Sequence, residues 1–158
     1  MLWLRTLFFT IIAPGTITVL LPYFLLSNAR DKFAEQAWQW LGAVPVLLGF
    51  GIYLWCAKDF AVKGRGTPAP YDPPKQLVIV GLYRFVRNPM YVGVTLILLG
   101  EAALFSEATL LLYAALVLLA FHLRVRLYEE PTLQRLFGEA FRQYCAKVPR
   151  WLPRLRRH

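Results

Sequence analysis

The sequence predicts an all-α integral membrane protein. Four transmembrane helices are expected, the last two closed into a helical hairpin, followed by a C-terminal amphipathic helix at the interface. Three observations carry that prediction. The 158 residues are 58% hydrophobic yet hold a formal charge of +9, and a soluble domain of this size could not cover so much apolar surface. The apolar residues gather into four long stretches. The basic residues fall almost wholly on one side of those stretches. There is room for one small bundle, so residues 1–158 read as a single domain.

The spans are expected at about 3–26, 38–57, 90–105 and 108–127. The first two reach the ~20 residues that a bilayer requires. The first is about twice as long as a secretory h-region, and no small-residue cleavage site follows it, so it reads as a retained span. Pro14-Gly15 and Pro45 fall inside spans, where they predict kinks that neighbouring helices tolerate. Trp38, Trp40 and Trp55 stand near the ends of the second span, as interface anchors do. Only Ser106-Glu107 separates the third span from the fourth, which predicts a tight turn between them.

Charge orients the chain. With four spans, the N-terminus, the 58–89 loop and the C-terminal tail share one side, which then holds 16 of the 18 Lys and Arg residues. These are Arg5, then Lys58, Lys63, Arg65, Lys75, Arg84 and Arg87, then nine from Arg124 onward. The other side holds Arg30 and Lys32, offset by Asp31 and Glu35. The positive-inside rule puts both termini and the long loop in the cytoplasm. A compact basic chain without a secretory signal fits a prokaryotic plasma membrane. Membrane ends account for the basic residues, and no nucleic-acid partner is expected.

Gly64, Gly66, Pro68, Pro70, Pro73 and Pro74 rule out a regular helix in the loop. In the tail, Leu133, Leu136, Phe137, Ala140, Phe141 and Tyr144 recur at helical spacing, with Gln134, Arg135, Arg142 and Gln143 opposite. Pro131 suits the first turn and Pro149 the stop. Residues 131–147 are therefore expected as an amphipathic helix along the cytoplasmic interface. Trp151, Arg150, Arg154, Arg156 and Arg157 would hold its end near anionic headgroups.

Charged residues against a bilayer are expensive, so each needs a reason. Glu129 and Glu130 follow the fourth span in "RVRLYEEPTL". Acids here could cap the next helix, but adjacent acids repel, which calls for a cation facing them. "GLYRFVRNPMYVG", residues 81–93, supplies candidates. Arg84 and Arg87 could anchor to lipid phosphates, and Asn88-Pro89 could be a turn, since the residue before proline avoids helical geometry. If spans three and four form a hairpin, however, 81–91 and 124–130 return to the same membrane face. Hydrogen-bonding groups gathered there beside a hydrophobic bundle make a pocket for a zwitterionic ligand.

"GLYRFVRNPMYVG", followed after the hairpin by "EEPTLQRLFGEAFRQYCAKVPRWLP", resembles the isoprenylcysteine carboxyl methyltransferase family. That family sits within a wider membrane methyltransferase group that includes the phospholipid N-methyltransferases. The resemblance covers about residues 64–153 and implies an S-adenosylmethionine site there, on the cytoplasmic side. Carried onto this chain, the implied cofactor positions are Lys75, Gln76, Leu77, Val78, Tyr83, Arg87, Asn88, Pro89, Met90, Tyr91 and Glu129. Arg126, Arg124 and Glu130 are the implied catalytic group. Neither arginine matches the family's substrate-contacting position without a one-residue shift, and Asn88 stands where histidine is commoner. The expected acceptor is a lipophilic molecule or lipid entering from the bilayer.

The chemistry suits these residues. Carboxylates match the cofactor's ammonium, and arginine or backbone N–H groups match its carboxylate. Methyl transfer is an in-line displacement, so positioning is the main task. A carboxylate acceptor needs no general base, whereas an amine must arrive deprotonated, and the scarcity of bases favours the carboxylate. His122 reads as structural. Glu101, ~15 Å along the third span from Tyr91, reads as packing or snorkelling, and Gly49-Phe50-Gly51 as close helix packing. Cys56 reads as a small buried hydrophobe. Cys56 and Cys145 are too far apart for a metal site or a disulfide framework. Two other classes stay open: an NADPH-dependent membrane reductase, and a non-catalytic protein on the same scaffold.

Overall fold

A computed structural model describes residues 12, 14–26, 32–63 and 76–153, and among them every regular element is helical. The start of the first expected span, Arg5, Arg30, Asp31, Arg65, the loop prolines, Lys75, Arg154, Arg156 and Arg157 lie outside the described residues.

Helix α1 covers Thr16–Leu25, and its first half, Thr16–Leu20, is wound as a π-helix. The widened turn follows Pro14-Gly15 directly, and the Thr18 hydroxyl donates to the Pro14 carbonyl at 2.8 Å. A 3-10 turn, Ala37–Gly42, then leads into α2, Ala43–Lys63. That turn begins on reciprocal contacts between Gln36 and Gln39. Buried Gln39 also donates to the Lys32 carbonyl at 3.0 Å. Pro45 stands in the first turn of α2, where proline is tolerated.

Helix α3, Pro89–Phe105, packs antiparallel on α2 through glycines spaced seven apart on both helices. Gly42 meets Gly100 and Gly49 meets Gly93. A Cβ on Gly100 would fall 2.5 Å from the Gly42 carbonyl oxygen and 2.6 Å from Val46 Cγ2. Small residues here let two backbones approach without a side chain between them. Gly49 therefore does the packing that its sequence context suggests, while Gly51 faces open space.

Ser106 closes α3 in the left-handed conformation (φ 50°, ψ 43°), its N–H returning to the Ala102 and Ala103 carbonyls. Helix α4, Ala108–Arg124, starts two residues later, and the expected hairpin is formed. A π-helical turn, Val125–Glu129, then carries α4 straight into α5, Glu130–Lys147. The sequence suggested a separate helix from 131, but helix runs unbroken through the join. Pro131 breaks nothing because it sits in the first turn of α5. The interruption comes instead at Gly138, whose φ of 53° and ψ of −122° are non-helical.

Leu98, Val94, Ala114, Phe121 and Tyr53 form the main core between α2, α3 and α4. The apolar face of α5 is partly used within the chain: Phe141 and Tyr144 pack with Val148, Leu77, Leu133 and Phe137. On the outside, Leu47, Leu48, Phe50, Leu111, Leu112 and Leu119 are all exposed. Two described helices are long and apolar enough to cross a membrane, Ala37–Asp59 at mean hydropathy 1.7 and Ala108–Lys147 at 2.0. The apolar helices Thr16–Leu25 and Pro89–Phe105 are shorter.

Candidate functional site

The site is assembled around the turn that feeds α3. Gly81 opens it at φ 53°, and a Cβ there would run into the Asp59 carboxylate. A 3-10 turn over Gly81–Arg84 follows. Tyr83 is buried against Cys56 and Val78. Its carbonyl accepts a hydrogen bond from the Tyr144 hydroxyl at 2.6 Å, which ties the turn to α5. Asn88 is the N-cap residue of α3, outside the helical region (φ −127°, ψ 54°) as a residue before proline tends to be, and Pro89 takes the first helical turn.

The hairpin returns the two acids to this turn. The Tyr91 hydroxyl donates to Glu129 Oε1, and Arg124 Nε donates to the same oxygen at 2.8 Å. The Tyr91 ring is stacked on Phe121 at 4.3 Å. Glu130 is held differently. Arg150 grips it with Nε on Oε1 and Nη2 on Oε2, both at 2.8 Å, and Arg87 Nη1 lies 2.9 Å from Oε1. The neighbouring acids thus face separate cations, which removes the repulsion between them. Neither caps α5: Glu129 at the N-cap position has helical dihedrals and makes no side-chain cap bond.

A third segment, residues 148–151, closes the arrangement. The Arg87 N–H donates to the Pro149 carbonyl at 2.9 Å, and Asn88 Nδ2 to the Arg150 carbonyl at 3.2 Å. Trp151 Nε1 donates to His122 Nδ1 at 3.2 Å. Its ring lies beside Tyr91, with centroids 6.5 Å apart. Between these groups is a cavity of about 30 Å³, with Arg87, Asn88, Glu129 and Glu130 on its polar side and Val125, Leu133, Phe141 and Tyr144 on the other. The Arg87 Nε is buried and has no hydrogen-bond partner among the described residues.

The sequence profile of the phospholipid methyltransferase family matches residues 37–140, from the turn before α2 through both acids into α5. The chain belongs to that family. It is also similar to protein-S-isoprenylcysteine O-methyltransferase of Schizosaccharomyces pombe, 38% identical over 77 residues, which are 49% of this chain and 33% of that protein. A probable protein-S-isoprenylcysteine O-methyltransferase of Oryza sativa subsp. indica is 30% identical over 83 residues, 52% of this chain and 44% of the relative. The chain thus spans less than half the length of these curated relatives. No solved structure matches it. The resemblance read from residues 64–153 is borne out by these relatives, and with the apolar exposed helices it makes this a membrane protein.

Within the family frame, the sequence-predicted residues fall into groups. Arg87, Asn88, Glu129 and Glu130 line the cavity, and Tyr91 and Arg124 reach it through Glu129. Leu77, Val78, Tyr83 and Met90 are apolar packing behind it, with Met90 bridging the main core and the Cys56 cluster. Pro89 is buried at the head of α3. Gln76 and Arg126 are exposed, although the Arg126 charge still acts on Glu130. Arg150, Tyr144 and Trp151 are parts of the site that sequence reasoning left out. The stretch quoted for the resemblance, "EEPTLQRLFGEAFRQYCAKVPRWLP", contains all three.

Burial raises the Glu130 pKa, but the Arg150 hydrogen bond and the charges of Arg87, Arg150 and Arg126 outweigh it, and the carboxyl titrates below its ordinary 4.5. A depressed carboxyl contributes stability that is complete above the unfolded value and is lost as pH falls through the folded one. Nitrogen NMR of protein labelled with 15N-arginine should therefore show the Arg150 Nε resonance constant from pH 7 to about 5 and moving below that. In Glu130→Gln the acid transition should vanish. An Arg150 signal that moves identically in both proteins would contradict the pairing.

Proposed function

We propose that this chain is an S-adenosylmethionine-dependent methyltransferase acting at the cytoplasmic membrane face on a lipophilic acceptor, with carboxyl O-methylation favoured. The observation that carries this reading is the set of groups around the cavity. Glu129 offers a carboxylate, and the buried Arg87 Nε is a donor without a partner among the described residues. A zwitterion with an ammonium and a carboxylate complements that set, and the amino-acid end of S-adenosylmethionine is such a zwitterion. When bound, the cofactor supplies an electrophilic methyl group on a sulfonium.

In this reading Glu129 and Asn88 take the ammonium, and Arg87 takes the carboxylate. Tyr91 orients Glu129 through its hydroxyl, and stacking on Phe121 holds Tyr91 in place. Leu77, Val78, Tyr83, Pro89 and Met90 supply the apolar wall, with the exposed Gln76 at its outer edge. Arg124 and Arg126 stand at the end of α4, where an anionic acceptor would arrive from the bilayer, and Glu130 keeps the arginines beside it in place. Transfer to a carboxylate neutralises charge, so a dry site favours it without a general base. His122 fits that account, since its Nδ1 already accepts from Trp151.

The reading includes four spans in a single domain, both termini in the cytoplasm and a prokaryotic plasma membrane; the basic bias of the loop and tail supports the orientation. The second reading is N-methylation of a phospholipid or other lipid amine, favoured by the family that matches residues 37–140. Equilibrium binding to the detergent-solubilised chain tests the cofactor: saturable binding of S-adenosylmethionine and none of NADPH is expected. Binding of NADPH alone would make the protein a reductase candidate, and binding of neither would end the enzymatic reading. Transfer of labelled methyl groups to lipid extracts then separates the acceptors, because an ester label is lost in base and an N-methyl label is retained.

A further inference from the structure

Resting on that cofactor reading, we infer that Arg150 is a positioning residue of the site, acting through Asn88. The two acids divide the work. Both oxygens of Glu130 are filled by arginine, at 2.8 Å from Arg150 and 2.9 Å from Arg87, so Glu130 serves as the latch for residues 148–151. Arg150 side-chain accessibility is only 27% in this grip. Holding the Arg150 side chain fixes its main chain, and the Arg150 carbonyl is the partner of Asn88 Nδ2.

A carbonyl oxygen can only accept, so the amide nitrogen of Asn88 has to face it. Oδ1 is then the end of the amide left for a ligand. With Glu129 beside it, the site presents two acceptors to an ammonium. The second strand of the latch is the Arg87 N–H on the Pro149 carbonyl, which holds the arginine bearing the unfilled Nε. One short segment therefore sets both the acceptors for an ammonium and the donor for a carboxylate. Its removal should cost recognition of the amino-acid end of a ligand and spare recognition of the nucleoside end. The cavity, about 30 Å³, has room for roughly two waters. A ligand of that kind therefore enters only if the walls of the cavity move apart.

The test uses the full chain in lipid nanodiscs, with two probes. S-adenosylmethionine carries the ammonium and carboxylate, and 5′-methylthioadenosine has the nucleoside and lacks both. In Arg150→Ala, affinity for the first should fall roughly tenfold or more, the worth of one charge-assisted contact, while affinity for the second stays within about twofold. The double variant Arg150→Ala with Glu130→Gln should lose no more than the larger single effect, because both changes break one contact. Should Arg150→Ala not fold, Arg150→Lys is expected to lose several-fold for the first probe only, since lysine cannot make the two-pronged grip. Equal losses for both probes, no loss in whichever variant folds, or additive losses in the double variant overturn the inference. Failure of the unaltered chain to bind S-adenosylmethionine overturns the cofactor reading, and the inference falls with it.

Discussion

Replacing Glu129 by alanine should weaken S-adenosylmethionine binding by about a hundredfold or more, close to 3 kcal/mol. Two contributions make the loss this large. The ligand's ammonium loses its carboxylate, a charge-assisted contact worth about 1.5–3 kcal/mol. The substitution also strands two donors, Arg124 Nε and the Tyr91 hydroxyl, both of which end on Glu129 Oε1. Tyr91 would then be held only by its ring contacts with Phe121 and Trp151, and the cavity wall loses its alignment. Glu129→Gln keeps an acceptor for both donors and should lose about tenfold, the charge alone. Titration calorimetry on the purified chain measures all three proteins. An alanine variant binding within about threefold of the parent would remove Glu129 from the site.

The largest expected effect on stability lies far from that cavity, in Gly100→Val. The added Cβ meets the Gly42 carbonyl oxygen at 2.5 Å and the Val46 main-chain nitrogen at 2.9 Å. Backbone atoms of a packed helix cannot rotate away as a side chain can, so α2 and α3 must separate. Overpacking of this kind costs about 1–3 kcal/mol, and more where the neighbour is rigid. Because Gly93 makes the matching approach to Gly49, a rigid-body shift that relieves one contact opens the other. Thermal unfolding in detergent should show a fall of several degrees or a failure to accumulate folded protein. Gly51→Ala is the control: nothing lies within 4 Å of its new Cβ, and its helix propensity improves. A Gly100→Val protein as stable as the Gly51→Ala protein would show that the glycine seam carries no packing.

What the sequence made legible depended on contact range. The hairpin could be read from two residues, Ser106-Glu107, because two apolar stretches so close together can only reverse. Once it reverses, residues 81–91 and 124–130 share a face, and the pairing of Tyr91 with Glu129 follows from geometry. Arg150 was not legible in the same way. It lies 62 residues from Asn88, and a basic residue near a membrane has an ordinary explanation as a headgroup anchor. The positive φ of Gly138 was equally hidden, since glycine in an amphipathic pattern is compatible with plain helix. The apolar residues Val78 and Tyr83 carry no sign of which wall they face, and burial against Cys56 decides it.

The π-helical turn at Val125–Glu129 acts as a phase shifter between two halves of one long helix. Each residue of an α-helix advances the side-chain direction by about 100°; the π turn already takes up one extra residue, so a further one rotates everything beyond it by that angle. Inserting one alanine after Leu127 would leave every residue of the site in the chain and the hairpin closed. Glu130 would nonetheless swing a quarter of the way round the axis and lose Arg87, and the apolar face of α5 would turn away from Leu77. The angular register of Val125–Glu129 is therefore as much a component of the site as any of the side chains it aims.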